Sequence, residues 1–122
     1  MFEGVLLATA VAASSLSFSQ AKALADLDEA SLSATYSHRL VESQEKASNH
    51  AFSVCLPFRA SEVLQSFTVV IELDAQGHVQ QMWGQGETEL ARCVEGELAQ
   101  AVYFHPPKVP FYASFDFIFQ SQ

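Results

Sequence analysis

Cationic side chains are scarce in this sequence. Lys and Arg total 6 against 14 Asp and Glu, for a net charge of −8. A surface of that sign repels phosphate backbones and argues against nucleic acid as a partner. No block of like charge gathers the acids, so they read as a solvated surface rather than a dedicated patch. No apolar run reaches the roughly 20 residues that a bilayer-spanning helix needs, so no stable membrane anchor is expected. Cysteine is limited to Cys55 and Cys93. None of the histidines (His38, His50, His78 and His105) stands near another His or a Cys at the spacing of a structural zinc site, so no metal is assigned. His78, beside a turn, reads as solvated, and His105, before a proline pair, as packing in an elbow. There is no Gly-rich phosphate loop, no nucleophile elbow, no His-Glu-x-x-His, and no carboxylate pair set by local spacing for acid–base work. The sequence therefore assigns no catalytic residue and no cofactor.

What the chain does have is a core. At 122 residues there is room for one domain, and 49% hydrophobic against 16% charged residues suits a compact fold rather than a disordered tail. Residues 1–23 read as a signal peptide. Val5 to Ala13 is a short apolar run, Ser14 to Gln20 is small and polar, and Ala21-Lys22-Ala23 is a small-x-small tripeptide that predicts cleavage before Leu24. Glu3, with no Lys or Arg beside it, departs from the usual basic start. Two readings stay open: a true start a few residues upstream, or an N-terminal core helix instead of a signal.

Residues 24–42 form a segment whose state the pattern leaves open. Leu32, Ala34, Tyr36, His38 and Leu40 alternate with Ser and Thr in strand period, while Leu32, Tyr36 and Leu40 also repeat at i, i+4, and Asp28 can cap a helix. The interleaved Ser and Thr tilt the reading toward an extended segment. From Ser43, a potential cap, Ala47, Ala51, Val54 and Cys55 share a helical face, which Pro57 is expected to end.

Phe67, Val69, Ile71 and Leu73 alternate as a strand with one buried face. Asp74-Ala75-Gln76-Gly77 supplies a turn, and Val79 to Trp83 the returning strand, with Val79, Gln81 and Trp83 on one face. Gly86 or Thr88 caps the next helix, where Leu90, Val94 and Leu98 repeat at i, i+4 and Cys93, Ala101 and Val102 widen the stripe. Glu87 and Glu89 suit the positive end of its dipole. Gly96 inside it points to a close neighbour. His105-Pro106-Pro107 ends the helix, and Phe111, Ala113, Phe115, Phe117 and Phe119 form the inner face of a last strand.

A glycine-turn hairpin, a helix holding Cys93-Val94, a proline elbow and a Phe-rich terminal strand, with Cys55 in the preceding helix, together resemble the C-terminal module of TonB-related proteins, in its AgmX/PglI variant. The resemblance covers about Ser43 to Phe119. It implies an α+β fold for residues 43–122, a two-layer αββαβ sandwich with a small antiparallel sheet and helices packed on one face. It also implies a non-enzymatic interaction module of the periplasm or cell envelope, whose partner is an envelope or periplasmic protein that can add a strand to a sheet edge. The membrane helix and proline-rich spacer of a TonB-type energy transducer are missing. Two cysteines in an exported chain pair most economically with each other, giving Cys55–Cys93 and about 4 kcal/mol in the chain-entropy model. Two reduced thiols, or a reactive Cys93 blunted by Glu89, Glu95 and Glu97, are the alternatives. The candidate partner-binding residues are Met82, Trp83, Gly84, Tyr112 and Asp116, with Trp83 also readable as core. A cystatin-like inhibitor or ligand-binding module, and a small secreted enzyme with a site assembled from distant residues, are the rival functions.

Overall fold

The computed structural model describes residues 16–59 and 64–119; the apolar run Val5 to Ala13 lies outside them. Helix α1 spans Phe18–Ala30 and α2 spans Ala34–Arg59. Strands β1 (Phe67–Leu73) and β2 (Val79–Gly84) are followed by helix α3 (Glu89–Gln100) and strand β3 (Phe111–Phe117). The strands form an antiparallel sheet of order β2-β1-β3. The fold is α+β, and α2-β1-β2-α3-β3 gives the expected αββαβ order.

Residues 24–30 and 34–42 are helical, on either side of a turn at 31–33, and not extended. Ser17 opens α1 with a capping box: its Oγ accepts from the Gln20 N–H at 3.1 Å, and Gln20 Oε1 accepts from the Ser17 N–H at 2.9 Å. Ser33 supports the first turn of α2, its Oγ accepting from the Tyr36 N–H at 3.3 Å. The i, i+4 spacing prevails over the strand-like alternation because it sends Leu32, Tyr36 and Leu40 to one core, whereas the alternating Ser and Thr face water or the helix's own carbonyls. Ser43 consequently lies mid-helix rather than at a cap, and donates back to the Leu40 carbonyl at 2.9 Å. Pro57 sits inside α2 rather than ending it.

The main core lies between the sheet and α2 with α3. Val69, Ile71, Leu73, Phe111, Ala113 and Phe115 meet Ala51, Cys55, Leu90, Val94 and Leu98 there. The cap of α3 is Thr88, whose Oγ1 accepts from the Ala91 N–H at 3.0 Å. The helix stops at Gln100, so Val102 leaves the stripe and is 59% exposed. Gly96 has open space where a Cβ would stand; no close neighbour explains it. His105 is exposed, and the elbow is packed instead by Tyr36 and Phe104 with ring centroids 6.4 Å apart. Strand β3 ends at Phe117, and Phe119 beyond it still packs on Phe52 at 6.1 Å.

Helix α1 lies on the other face of the sheet, where Ala21 and Ala25 contact Val70 and Tyr112, with Leu16, Leu24 and Trp83 around them. The αββαβ unit keeps its helices on one face; α1 adds a third layer. The expected cleavage after Ala23 falls inside α1, between the fully buried Ala21 and Ala25.

The hairpin turn is fixed from two sides. Gly77 has φ +83, and a Cβ there would collide with the Tyr103 carbonyl oxygen, so glycine is required for conformation and for space. Asp74 Oδ1 accepts from the N–H groups of Gln76 and His78, both at 2.9 Å. These bonds, the His78 one foremost, hold the Asp74 carboxyl below its ordinary value.

Candidate functional site

A three-stranded sheet has two edges, and this chain treats them differently. The β1–β3 register pairs Ile71 with Ala113 and Val69 with Phe115. The N–H groups of Tyr112 and Ser114 therefore point away from β1, and both are taken by α1. Asp28 Oδ2 accepts from Tyr112 at 2.9 Å and Glu29 Oε2 accepts from Ser114 at 2.7 Å. The Ser114 carbonyl accepts from Gln44 Nε2 of α2 at 2.9 Å. Asp28 is buried, at 6% exposure, and its other oxygen lies 3.1 Å from Lys108 Nζ. Burial pushes the Glu29 carboxyl up, against the pull of the Ser114 N–H and Lys22. Side chains from two helices thus occupy the edge of β3.

Strand β2 has no such cover among the described residues. The bond from the Gln85 N–H to the Thr68 carbonyl, at 3.1 Å, sets the phase of the β1–β2 ladder: Gln81 and Trp83 bond inward, while Met82 and Gly84 direct their N–H and C=O outward. An edge of this kind is a template for another extended chain.

The side chains along β2 correct the expected alternation. The register slips between Glu72 and Leu73, which pair with Gln81 and Val79, leaving Gln80 as the extra residue of a bulge. Val79 and Met82 therefore face the main core, whereas Gln81 and Trp83 face α1. Trp83 is half-buried, packs with its ring tilted against Tyr112 at a centroid distance of 6.0 Å, and donates from Nε1 to the Leu16 carbonyl at 2.9 Å. Tyr112 Oη lies 3.4 Å from Glu72 Oε1, and burial with that acid raises the phenol above its ordinary value. Asp116 accepts from Thr68 Oγ1 at 2.8 Å on the same face. Of the five candidate residues, then, Met82 and Gly84 lie along the open edge, Trp83 and Tyr112 are joined beneath α1, and Asp116 stands at the sheet's far end.

The carboxylate of Glu95 reaches across Gly84, where an added Cβ would collide with it. Its Oε2 is buried without a hydrogen-bond partner, and burial raises this carboxyl, with Arg92 and the Gly86 N–H acting against the rise. Glycine at 84 thus makes room for an acid at the end of the free edge. Cys55 and Cys93 form a disulfide that ties α2 to α3, with Cα atoms 5.9 Å apart. Among the described residues no three His, Cys, Asp or Glu side chains gather as metal ligands, and no helix is long and apolar enough to cross a membrane.

Sequence reasoning missed Asp28 and Glu29 as caps of β3. One signal was available: two adjacent acids end a helix with no basic residue in its last turn, where the dipole disfavours negative charge. Acids in that position point to a stronger, tertiary partner. In comparison with known proteins, no family model matches the chain and no curated protein matches its sequence.

Proposed function

We propose that the chain is an exported, non-enzymatic interaction module, of the kind its resemblance to the TonB C-terminal domain implies, that takes an extended segment of an envelope protein onto the free edge of β2. The observation that carries this reading is the asymmetry of the sheet: β3 is capped by Asp28, Glu29 and Gln44, while Met82 and Gly84 present backbone groups with no partner among the described residues. Main-chain bonds would supply affinity and the flanking side chains would select the sequence. The Cys55–Cys93 bond is compatible with an oxidising, exported compartment. Export with α1 kept whole requires cleavage upstream of Ser17, and Ala10-Val11-Ala12 is a small-x-small tripeptide in that region.

The test is recovery of a partner from the envelope fraction of the source cell on immobilised protein, with Met82→Pro and Met82→Val in parallel. Proline removes one outward N–H of an edge strand without touching the β1 ladder; valine keeps it. Wild type and Met82→Val should retain the same protein and Met82→Pro should lose it, all three having matching circular dichroism. Equal retention by all three would reject the edge as the binding element. Intact mass of the native protein should begin before Ser17; a chain beginning at Leu24 would place the cut inside α1.

A further inference from the structure

Beside α2, two adjoining hollows of about 450 and 580 Å³ share Ser43, Lys46 and Val102. They form one open groove between α2 and the extended segment after α3. In the lining of this groove the formal charges balance, whereas the chain as a whole carries −8. The lining takes two of the 6 Lys and Arg residues (Arg39 and Lys46) and two of the 4 histidines (His50 and His105), but only two of the 14 acids, Glu42 and Glu97. Glu97 is already engaged, its Oε1 lying 3.3 Å from His50 Nε2. Lys46 has no carboxylate partner among the described residues, and the Arg39 guanidinium lies over the Tyr36 ring, 5.7 Å from its centroid, rather than on an acid.

The backbone contributes a donor. The Phe104 N–H points at α2, donating to Ser43 Oγ at 3.3 Å, while the Tyr103 N–H points the opposite way, to the Gly77 carbonyl at 2.9 Å. In an extended segment Val102 has the phase of Phe104, so its N–H also faces α2. It has no partner among the described residues, and the Val102 side chain stands 59% exposed beside it.

We infer that this groove binds a short, extended, acidic peptide segment of a partner protein. The Val102 N–H, Lys46 and Arg39 would receive its carboxylates, and Val102 with Ala47 and Ala101 its apolar side chains. The dimensions favour a chain over a small acid. From Arg39 to His50 the helix rises roughly 16 Å at ~1.5 Å per residue, the length of about five extended residues. The groove is open along one side, whereas small-molecule sites bury most of their ligand. Outside the groove lining the sequence carries 4 Lys and Arg against 12 Asp and Glu, so an acidic peptide meets less repulsion here than from the rest of the chain. The site is separate from the β2 edge and does not depend on it.

The test uses the oxidised, isotope-labelled protein and an acetylated, amidated pentapeptide alternating Glu and Val, with its Gln-for-Glu analogue and glutarate as comparisons. Saturable amide shifts should be confined to 39–50 and 101–105 and absent with the Gln analogue. Arg39→Glu with Lys46→Glu should weaken binding at least tenfold, and Val102→Pro several-fold, each with an unchanged melting temperature. Met82→Pro should bind the pentapeptide like wild type, so that loss of the edge reading leaves this one standing. No shifts, or shifts spread equally to Lys22, Arg92 and Lys108, would overturn the proposal. Glutarate binding there as tightly as the peptide would overturn the choice of a peptide in favour of a small acid.

Discussion

Glu95 shows what one residue does to the free end of β2. Its carboxylate lies over Gly84, one oxygen is buried and unpartnered, and burial raises its pKa from the ordinary 4.5. A carboxyl whose folded-state value is raised favours folding while it is neutral. That contribution is fully present below the unfolded value and is lost as pH rises through the folded one. A glutamine side chain at this position would stay neutral throughout. In urea titrations Glu95→Gln should therefore exceed wild type in stability at neutral pH, and the gap should close in mild acid. A gap that widens on acidification would contradict the burial described here. Asp74 has the opposite sign, since turn N–H groups hold its carboxyl low, and its support of the hairpin fades as pH falls. Gly96 lacks any packing neighbour and leaves α3 with only the entropic cost of glycine.

Helix α1 contributes to the sheet more through its end than through its length. Its buried contacts are two alanines, Ala21 and Ala25, which remove little apolar area compared with the phenylalanines on the opposite face. Asp28 and Glu29 at its last turn close the β3 edge. Asp28→Ala would leave the Tyr112 N–H unpaired and Lys108 without its acid, at a cost of about 1–3 kcal/mol. The expected signature beyond lost stability is local: the Tyr112 amide should exchange with solvent much faster, with β1 amides protected as before. Uniform acceleration across the sheet would mean that Asp28 serves global stability alone. Most of the elements themselves were legible in the sequence. The i, i+4 stripe of α3, the Asp74–Gly77 turn and the alternating phenylalanines of β3 each announce their period. Residues 24–42 were ambiguous because Leu32, Tyr36 and Leu40 satisfy period 2 and period 4 together. Only the position of the core separates them.

The whole molecule is two packing layers on one sheet, and the Cys55–Cys93 bond holds the thicker layer together. Closing a loop with a sequence separation of 38 should contribute about 4 kcal/mol through the unfolded state. The double variant Cys55→Ala/Cys93→Ala should lose about that much in urea unfolding while keeping its far-ultraviolet circular dichroism. A loss below about 1 kcal/mol would show that the α2–α3 contact holds without the bond. At this scale the acidity of the chain acquires a shape. A net charge of −8 read as a uniform solvated surface, but folding leaves one groove where Arg39 and Lys46 balance Glu42 and Glu97, with His50 and His105 beside them. Arg39, Lys46 and His50 share a face of α2 at i, i+7 and i+11, but only the fold brings His105 to them.

By itself the sequence determined the order helix, strand, turn, strand, helix, strand from Ser43 onward and the aromatic inner face of β3, and it offered Cys55–Cys93 among alternatives. Each rests on local periodicity, turn chemistry or a count of cysteines. The tertiary structure decided which sheet edge the described residues leave uncovered and which face α1 covers, and that Trp83 turns toward α1 while Met82 turns to the main core. Edges and faces depend on which distant groups meet a strand. A single bulge at Gln80 reverses the facing of the residues beyond it without leaving a mark on hydrophobic periodicity.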